Sequence, residues 1–441
     1  MAERFLRWTP AWFAYNLALV IALLGGFVLW LPWMLAARKR RANFLARLGF
    51  GIPPVPHPEG ARTFWIHSVS VGETLAAAPF IRSIKNTLPD AGITISTVTL
   101  TGQETARKTV GESASAIIYF PFDLPFVCGR FLERVRPDAV IILETEIWPN
   151  FLAECASRGI PVAILNGRIS ERSYAGYKKA GWLFRRVLSN ISFIGAQTPE
   201  DASRYSELRG RSDGVAATGN MKYDMAVPEI SPALFRIMSA VRQGGGKWLV
   251  AGSTHEGEEA PILNAVRDLG REFPDLRLLL APRHPERFDR VERLCESIGM
   301  PYVRKTACMD GAFPETARVL ILDTVGELSG AYALADVAFV GGSLVPVGGH
   351  NILEPACFGV PVMVGPHMDN FREMARQFTR LEAVDVVESA GAFGEVLRGL
   401  LIDKERATGM GKRGQDLLAA SRGGTERNIR KIIEMAGSAT P

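Results

Sequence analysis

Three glutamates in the first half of the chain follow apolar, strand-like segments. Glu73 comes after TFWIHSV at the start of a helical pattern; Glu144 ends AVIILE, and Glu146 lies two residues further on. Glu73 could complement the dipole of the following helix, or it could act as a general base that removes a substrate proton. On a strand, Glu144 and Glu146 would share one face, where they could bind a divalent cation or divide acid–base and electrostatic roles. The residues alone leave these alternatives open.

Cationic side chains also follow strand-like segments. Arg283 and His284 lie between two prolines in APRHPERF, just beyond the apolar run LRLLLAP. Contact with a phosphate or a nucleotide fits this position at least as well as a simple turn does. Arg168 in NGRISERSY fits either a solvated loop or an anion contact. Lys222 in TGNMKYD lies at a predicted domain junction, and a lone lysine is weak evidence of a site.

The segment GGHNILEPA, residues 348–356, places a diglycine, Asn351 and Glu354 between two apolar runs. The spacing of Asn351 and Glu354 is typical of a capping box at the start of a helix. The free N–H groups of such a helix start can also bind a phosphate, and Glu354 could accept hydrogen bonds from ribose hydroxyls. We interpret the segment as part of a nucleotide site. The turn Val325–Gly326–Glu327 precedes another helical pattern, which Gly326 could simply begin.

Short apolar runs alternate with helical patterns along most of the chain, as in parallel sheets covered by helices on both faces. The pattern lapses between Asp224 and Gly246 and then restarts, which predicts two doubly wound α/β domains, over 60–225 and 247–430. Ligands of such domains bind beyond the carboxyl ends of the strands, where the residues above lie. The predicted strands are Thr63–Val69, Ile93–Thr99, Ala116–Phe120, Ala139–Glu144, Pro161–Asn166, Ser192–Ala196, Lys247–Ser253, Leu276–Pro282, Arg318–Asp323, Asp336–Gly342 and Val360–Gly365.

The composition of the 441-residue chain is that of a globular protein in a reducing compartment. Hydrophobic residues make up 47% and charged residues 22%, and the length suits two ordinary domains. The five cysteines are odd in number, far apart and without C-x-x-C, which argues against a disulfide framework or a zinc site. The net charge of +5 equals the charge of one basic cluster near the N-terminus. The rest of the chain is therefore nearly neutral, and nothing in it indicates a nucleic-acid partner.

The first fifty residues predict a membrane anchor. Residues 11–35 contain no charged side chain, and roughly 20 apolar residues suffice for a helix to span a bilayer. Tryptophans at both ends are typical of interfacial belts. The basic run ARKRR that follows predicts contact with anionic lipid headgroups and places the bulk of the chain on the cytoplasmic side. A helix that lies in one leaflet instead of crossing the bilayer remains an alternative.

Seven motifs taken together resemble the bacterial 3-deoxy-D-manno-octulosonic acid (Kdo) transferase family, and the resemblance covers essentially the whole chain. They are HSVSVGE, ETEIWPN, NGRISERSY, GSTHEGEE, APRHPERF, VGELS and GGHNILEPACFGVPVMVGPHMDNF. The resemblance implies a GT-B glycosyltransferase: two Rossmann-like domains facing a central cleft, the N-terminal one for the acceptor and the C-terminal one for the nucleotide sugar. A membrane-anchor helix within residues 1–50 would hold it at the cell inner membrane, with its catalytic domains on the cytoplasmic side.

The implied reaction transfers Kdo from CMP-Kdo to a lipid A precursor, lipid IVA, in lipopolysaccharide core biosynthesis, with inversion at the anomeric carbon and without a metal or other cofactor. By the match of HSVSVGE, Glu73 looks like the family's general base. By the matches of ETE and GNMKYD, Glu144 looks like a second catalytic acid residue, and Lys222 looks like the lysine that stabilises the transition state. The residues that look like CMP contacts are Pro282, Arg283 and His284; Val325, Gly326 and Glu327; and Asn351, Ile352, Leu353 and Glu354.

Two other functions fit part of the sequence. One is a GT-B transferase with a UDP-sugar donor and a lipid-linked acceptor, which would not need the GGHNILEP loop. The other is a membrane-tethered nucleotide-binding protein without catalysis, which substitution at Glu73 or Lys222 would signal; neither residue is substituted. The sequence leaves open the number of Kdo residues added, the acyl-chain preference and the oligomeric state. It also leaves open whether Glu146 or Arg168 contributes to the site.

Overall fold

The computed structural model describes residues 8–35, 38–57, 60–69, 71–308 and 312–437. The chain divides into two compact units, one formed by residues 1–225 together with 421–441 and the other by residues 226–420. Within the described residues, each unit contains one seven-stranded parallel sheet with helices between its strands, as the alternating sequence pattern predicts.

The first unit has the strand order β3-β2-β1-β4-β5-β6-β7. Its strands are β1 (Thr63–His67), β2 (Gly92–Thr97), β3 (Ala116–Tyr119), β4 (Ala139–Leu143), β5 (Val162–Gly167), β6 (Phe193–Ala196) and β7 (Val215–Ala217). Its helices are α1 (Pro10–Leu35), α2 (Arg38–Arg47), α3 (Val71–Thr87), α4 (Leu100–Val110), α5 (Pro125–Val135), α6 (Pro149–Ser157), α7 (Glu171–Lys179), α8 (Gly181–Leu188) and α9 (Pro199–Arg209), with the last helix of the chain, described below.

The second unit has the strand order β10-β11-β9-β8-β12-β13-β14. Its strands are β8 (Lys247–Thr254), β9 (Leu276–Pro282), β10 (Tyr302–Arg304), β11 (Val319–Ile321), β12 (Val337–Val340), β13 (Val362–Val364) and β14 (Asp385–Val386). Its helices are α10 (Pro232–Gln243), α11 (Glu259–Leu269), α12 (Phe288–Ile298), α13 (Leu328–Ala331), α14 (Leu353–Ala356), α15 (Arg372–Arg380), α16 (Phe393–Ile402) and α17 (Lys404–Ser421).

The central strands are apolar on both faces because helices cover both faces of each sheet. All five residues of β4 are buried. Val140 and Ile142 enter the core on one face of the first sheet, whereas Ala139 and Ile141 enter the core on the other face. This alternation follows from the two-residue period of side chains along a strand.

The strand order reverses at one point in each sheet, which determines where a ligand can bind. In the first sheet the neighbours at this point are β1 and β4, and in the second they are β8 and β12. The connections from these two strands run to opposite sides, so a crevice opens beyond their carboxyl ends. We call these two places the switch points of the first and second unit.

The observed units differ from the predicted domains 60–225 and 247–430 at both ends of the second domain. The segment between Asp224 and Gly246, which we predict to be a linker that contains a short helix, holds α10, and its Leu234 and Ile237 are buried in the core of the second unit. The last helix, α18 (Gly424–Gly437), packs on the first unit, where Ile429 and Ile432 enter the core. The apolar pattern of a helix predicts that it is covered, but not which of two cores covers it.

The predicted N-terminal helix is present as α1, followed closely by α2. Residues 1–7 and 36–37 of the predicted anchor segment 1–50 lie outside the described residues. Among the helices that the structure describes, none has the length and apolar character needed to cross a membrane.

Candidate active site

Glu73 lies beyond the end of β1, in the first turn of α3. Its Oε2 accepts a hydrogen bond from the backbone N–H of Val69, at 2.7 Å. A carboxylate that reaches back to the N–H groups before a helix stabilises the helix start, so the structural role of Glu73 is confirmed. Glu73 also lies at the switch point of the first unit, where its carboxylate is available for acid–base chemistry.

Glu144 lies beyond the end of β4, the strand next to β1. Its φ of +59° is uncommon for a residue with a side chain. Oε1 of Glu144 accepts a hydrogen bond from Nζ of Lys222 at 2.8 Å, with the two side chains 32% and 30% exposed. Lys222 therefore belongs to the site, although it lies 78 residues away along the chain.

Asn166 and Asn220 hold Lys222 in place. The side-chain oxygen of Asn166 accepts the backbone N–H of Met221 at 3.0 Å, and that of Asn220 accepts the N–H of Lys222 at 3.0 Å. Asn166, the residue after Leu165 in β5, has a φ of +57°, a conformation that asparagine tolerates better than most residues. Glu73, Glu144 and Asn166 line one small cavity together with Leu143 and Met221.

Glu146 is part of the same electrostatic environment. Burial raises its pKa above the usual range of a glutamate, and the negative charge of Glu73 and, more weakly, that of Glu144 raise it further. The interpretation that Glu144 and Glu146 share a strand face is wrong, because β4 ends at Leu143. Within the described residues, no group of three or more His, Cys, Asp or Glu side chains is arranged to hold a metal ion.

Arg168 and its loop connect the ends of β4 and β5. The hydroxyl of Thr145 donates to the backbone carbonyl of Arg168, and the N–H of Arg168 donates back to that hydroxyl at 3.3 Å. The side chain of Arg168 is exposed. The structure therefore assigns a role to the backbone of this residue, while its guanidinium lies in solvent.

In the second unit, Glu258 organises the switch point. Its buried carboxylate accepts backbone N–H groups from Gly342, Ser343 and Leu344 after β12, at 2.7, 3.0 and 2.9 Å. It also accepts the N–H of His255 after β8, at 2.8 Å. Glu258 belongs to the motif GSTHEGEE, and in the structure it shapes the neighbouring loop.

Three histidines meet at this point. Nε2 of His255 and Nε2 of His350 are 2.9 Å apart with nearly parallel rings, and the ring of His284 lies edge-on to His255 at 5.4 Å. Burial, followed by the positive charge of Arg283 and of the other two histidines, lowers the pKa of His350 to about 4. Since both nitrogens cannot donate, at least one ring of the pair His255–His350 is neutral.

Glu354 is held differently from the predicted capping box. Its Oε2 accepts the hydroxyl of Ser329 at 2.7 Å, and its Oε1 accepts the side-chain amide of Asn351 at 3.3 Å. Oδ1 of Asn351 accepts the N–H of Leu353, two residues on, instead of the third residue. α14 has only four residues, so any anion there would be bound by local N–H groups and Arg283, not by a long helix dipole.

The turn at Gly326 has a φ of +91°, which requires glycine, and Val325 is 82% exposed. The carboxylate of Glu327 accepts hydrogen bonds from the hydroxyls of Ser231 and Thr324 and forms an ion pair with Lys305 at 2.9 Å. Burial alone would raise the pKa of Glu327, but these three partners together lower it below the usual range. Sequence reasoning missed Ser231 and Lys305, which no motif connects with Glu327.

The predicted nucleotide contacts come together at the carboxyl ends of the strands of the second sheet. They follow β9, β11 and β12, and His255 follows β8; these four strands are neighbours in the order β11-β9-β8-β12. Arg283 is exposed and lies near enough to influence the pKa values of both His350 and Glu354. A cationic group beside hydrogen-bonding carboxylates is suited to a ligand that carries both a phosphate and hydroxyls.

Comparison with known proteins identifies the family. Residues 42–225 match the family model described as 3-Deoxy-D-manno-octulosonic-acid transferase (kdotransferase). The 3-deoxy-D-manno-octulosonic acid transferase of Haemophilus influenzae is 38% identical over 393 residues, which cover 88% of this chain and 90% of that protein. The transferase of the same name from Bordetella pertussis is 33% identical over 428 residues, which cover 93% of this chain and 96% of that protein.

A solved structure shows the same fold at low sequence identity. MurG of Acinetobacter baumannii superimposes with a TM-score of 0.54 and 12% identity, over 85% of this chain and 99% of that one. Together with the two doubly wound sheets, this likeness confirms the predicted two-domain α/β architecture of the GT-B class. By its sequence relatives, the chain belongs to the Kdo transferase family and is a glycosyltransferase.

Proposed function

We propose that the chain transfers Kdo from CMP-Kdo to a lipid A precursor, lipid IVA, with inversion at the anomeric carbon and without a catalytic metal. One observation carries the proposal: Glu73 and the ion pair Glu144–Lys222 lie together beyond the adjacent ends of β1 and β4. A base and a positioned cation are the two groups that this transfer requires.

In the proposed reaction, Glu73 removes the proton from an acceptor hydroxyl. The hydroxyl oxygen forms a bond to the anomeric carbon of Kdo as the bond from that carbon to the phosphate oxygen breaks. The electron pair of the broken bond leaves with CMP. Attack from the side opposite the leaving phosphate inverts the anomeric centre.

Lys222 stabilises the negative charge that develops on the leaving phosphate. A group accelerates the reaction only if it interacts more strongly with the transition state than with the substrate, and a fixed cation next to growing negative charge does so. The ion pair with Glu144 holds the ammonium group in one position before the reaction. In this scheme Lys222 supplies the positive charge that a metal ion supplies in other transferases.

The donor is bound at the switch point of the second unit. We assign the phosphate to Arg283 and His284, and the ribose hydroxyls to the carboxylate of Glu354. The turn at residues 325–327 and the segment 351–354 complete the contacts with CMP. The relation to Kdo transferases supports Kdo as the transferred sugar, and the ends of strands β11, β9, β8 and β12 offer the cation and the carboxylates that a CMP-linked donor needs.

The acceptor is a lipid, so we also propose that the protein works at the cytoplasmic face of the cell inner membrane. The uncharged stretch 11–35 and the basic run after it support this location. Anionic lipid headgroups would be the membrane partner of the basic run.

The test is a transfer assay with full-length protein in detergent, CMP-Kdo made in situ, tetraacylated lipid IVA and excess EDTA, read by mass spectrometry. We expect Kdo masses on the lipid without added metal. Glu73→Gln should reduce kcat by about 10²–10⁴-fold, since general-base catalysis contributes about that much, and should leave CMP binding by calorimetry unchanged.

Glu171→Gln is the matched control, because Glu171 is also a glutamate in the first turn of a helix of the first unit but does not line the cavity. Its activity should equal that of the parent. Transfer by Glu73→Gln at near the parental rate would overturn the assignment of the base. Intact donor and lipid with no added mass would overturn the assignment of donor or acceptor.

A further inference from the structure

We propose that α1 is an in-plane membrane arm, locked to the first unit by a buried polar clasp and facing lipid with its opposite side. The clasp consists of Tyr15, Asn16, Asp123 and Asn150, and we call it the Asp123 clasp. The proposal rests on the proposed membrane location for its lipid partner, but its geometry comes from contacts within the first unit.

The Asp123 clasp ties the first turns of α1 to the start of α6. The hydroxyl of Tyr15 donates to Oδ2 of Asp123 at 2.8 Å. The carboxylate of Asp123 also accepts the backbone N–H groups of Asn150 and Phe151, at 3.1 and 2.8 Å. The side-chain amides of Asn16 and Asn150 donate to each other, at 3.1 and 3.0 Å.

Apolar contacts of α1 reinforce the clasp. Ala11 is fully buried in the core that contains Val140 and Ile142, and Trp12 and Tyr15 pack against the same core. Asp123 and Asn150 are 5% and 0% exposed, whereas Tyr15 and Asn16 are half-buried, so the part of the clasp that lies outside α1 is closed to solvent. A buried carboxylate is costly unless its hydrogen bonds are made, and α1 supplies one of them through Tyr15.

The other side of α1 has an exposed apolar face. It consists of five residues with helical spacing: Phe13, Leu17, Val20, Ile21 and Leu24. Their exposed fractions run from 47% to 69%, although each is a large hydrophobic side chain. A contiguous face of this kind is typical of a surface that meets lipid or another protein.

The segment after α1 returns to the same place on the first unit. The ring of Phe44 in α2 lies 5.1 Å from that of Phe122, the neighbour of Asp123. Nε of Arg47 donates to the carbonyl of Phe120 at 3.0 Å, and its guanidinium lies 4.2 Å from the centre of the Phe122 ring. Tyr15 near the start of α1 and the helix after α1 thus both contact residues 120–123.

The length of the segment between Leu35 and Phe44 limits how α1 can be oriented relative to the membrane. α1 rises roughly 28 Å between Asn16 and Leu35. From Leu35 to the docked Phe44 the chain reaches at most about 20 Å, because α2 begins at Arg38 and a helix rises only about 1.5 Å per residue. A hydrocarbon core is about 30 Å thick. Because the chain is bound at Tyr15 and again at Phe44, Leu35 cannot reach the far side of a bilayer, so α1 runs along the membrane and not through it.

The charge next to the arm favours an anionic bilayer over a second protein as its partner. The residues between α1 and Phe44 include Arg38, Lys39, Arg40 and Arg41, with no acidic residue among them. Basic residues beside an apolar interfacial helix bind anionic headgroups while the apolar face enters the acyl boundary.

The decisive experiment is side-specific labelling of full-length protein reconstituted in phosphatidylglycerol vesicles. Single cysteines are introduced by Trp8→Cys before α1 and Ala37→Cys after it, and a membrane-impermeant maleimide is added outside. Labelling is read for each tryptic peptide by mass spectrometry, so the native cysteines do not interfere. We expect both positions to react to within twofold of each other in the outward-facing molecules. Reaction of one position only, with the other reacting after detergent, would overturn the in-plane arm.

Hydrogen exchange tests the clasp itself. Tyr15→Phe and Asn16→Leu together should speed exchange of the amides of residues 11–20 in the soluble detergent form by at least tenfold, with the exchange of β4 unchanged. Leu17→Ala, on the exposed face of the same helix, is the control and should leave that exchange unchanged while it weakens vesicle binding. Unchanged exchange in the double variant would overturn the clasp. These readouts need no catalysis, so they stand apart from the transfer assay.

Discussion

At the scale of single residues, the site of the first unit depends on an ion pair that no local sequence pattern predicts. Lys222 and Glu144 are 78 residues apart and meet at 2.8 Å. From the residues alone, Lys222 is weak evidence of a site, and Glu144 could either bind a divalent cation or take an acid–base or electrostatic role. Only the resemblance to the family gave both a catalytic role, because a contact between distant segments depends on the whole sheet.

A double-mutant cycle tests whether Glu144 and Lys222 act as a unit. Glu144→Gln and Lys222→Met should each lower kcat by about 10²–10³-fold, because removal of one electrostatic group at a developing charge costs about that much. If Glu144 acts by positioning Lys222, the double variant should lie within about tenfold of the worse single variant, since coupled residues are not additive.

The control for this cycle is the exposed ion pair Lys178–Glu207 of the same unit, at 2.6 Å. Neutralising it should change kcat less than twofold. Fully multiplicative losses at Glu144 and Lys222 would contradict a shared role.

Glu146 allows a prediction of pH dependence. Burial, then Glu73 and Glu144, raise its pKa in the folded protein. The stability that its protonated form contributes is therefore present at acid pH and is lost as the pH rises through the folded pKa. Glu146→Gln should be more stable than the parent at pH 7 by at most about 1 kcal/mol, because solvent screens this partly exposed group.

Thermal unfolding of both proteins between pH 4 and pH 8 measures this difference. The advantage of Glu146→Gln should grow as the pH rises and then level off. An advantage that is largest at pH 4 would have the wrong sign.

At the scale of secondary-structure elements, the pattern of the sequence predicts the central strands well and the edge strands poorly. The strands that were missed are β7, β10 and β14, with three, three and two residues, and each lies at the edge of its sheet. A central strand is recognisable because both faces are buried, whereas a short edge strand buries little apolar surface. The residues of the capping box predicted at Asn351 are present, but their hydrogen-bond partners differ from the prediction. The spacing of Asn351 and Glu354 does not show that Ser329 will bind Glu354.

The histidines that connect β8 and β12 predict a second dependence on pH. The pKa of His350 is about 4 in the folded protein, below the ordinary value near 6.5. Since the unfolded chain takes up this proton at higher pH, the stability contributed by neutral His350 is present above pH 6.5 and is lost as the pH falls towards 4. The loss should amount to about 1–3 kcal/mol after allowance for solvent screening.

Denaturant unfolding at intervals from pH 7 to pH 4 checks this prediction. His350→Gln should unfold with a smaller change across that range than the parent. An identical pH dependence in both proteins would show that other groups cause it.

At the scale of the whole molecule, the last helix completes the first unit after the second unit has intervened. Ile432 of α18 is fully buried in the first unit's core, and Asp224 accepts the backbone N–H groups of Gly423 and Thr425 at 2.6 and 2.5 Å. Ile432→Ala should lower the free energy of unfolding by about 2–5 kcal/mol, as large-to-small changes in a core do.

Urea unfolding combined with hydrogen exchange of β1 and β4 measures this loss. The control is Ile402→Ala, because Ile402 is 53% exposed and should cost less than about 0.5 kcal/mol. Equal losses at the two positions would contradict the assignment of α18 to the core of the first unit.

The return of α18 also has a consequence for how the protein is made. A ribosome adds roughly 5–20 residues per second, so residues 226–420 take roughly 10–40 s to synthesise. For that time the first unit has emerged without the helix that covers Ile66, Ile81 and their neighbours. Its nascent form therefore exposes apolar surface while the second unit can already begin to fold, and completion of the first unit waits for the end of translation.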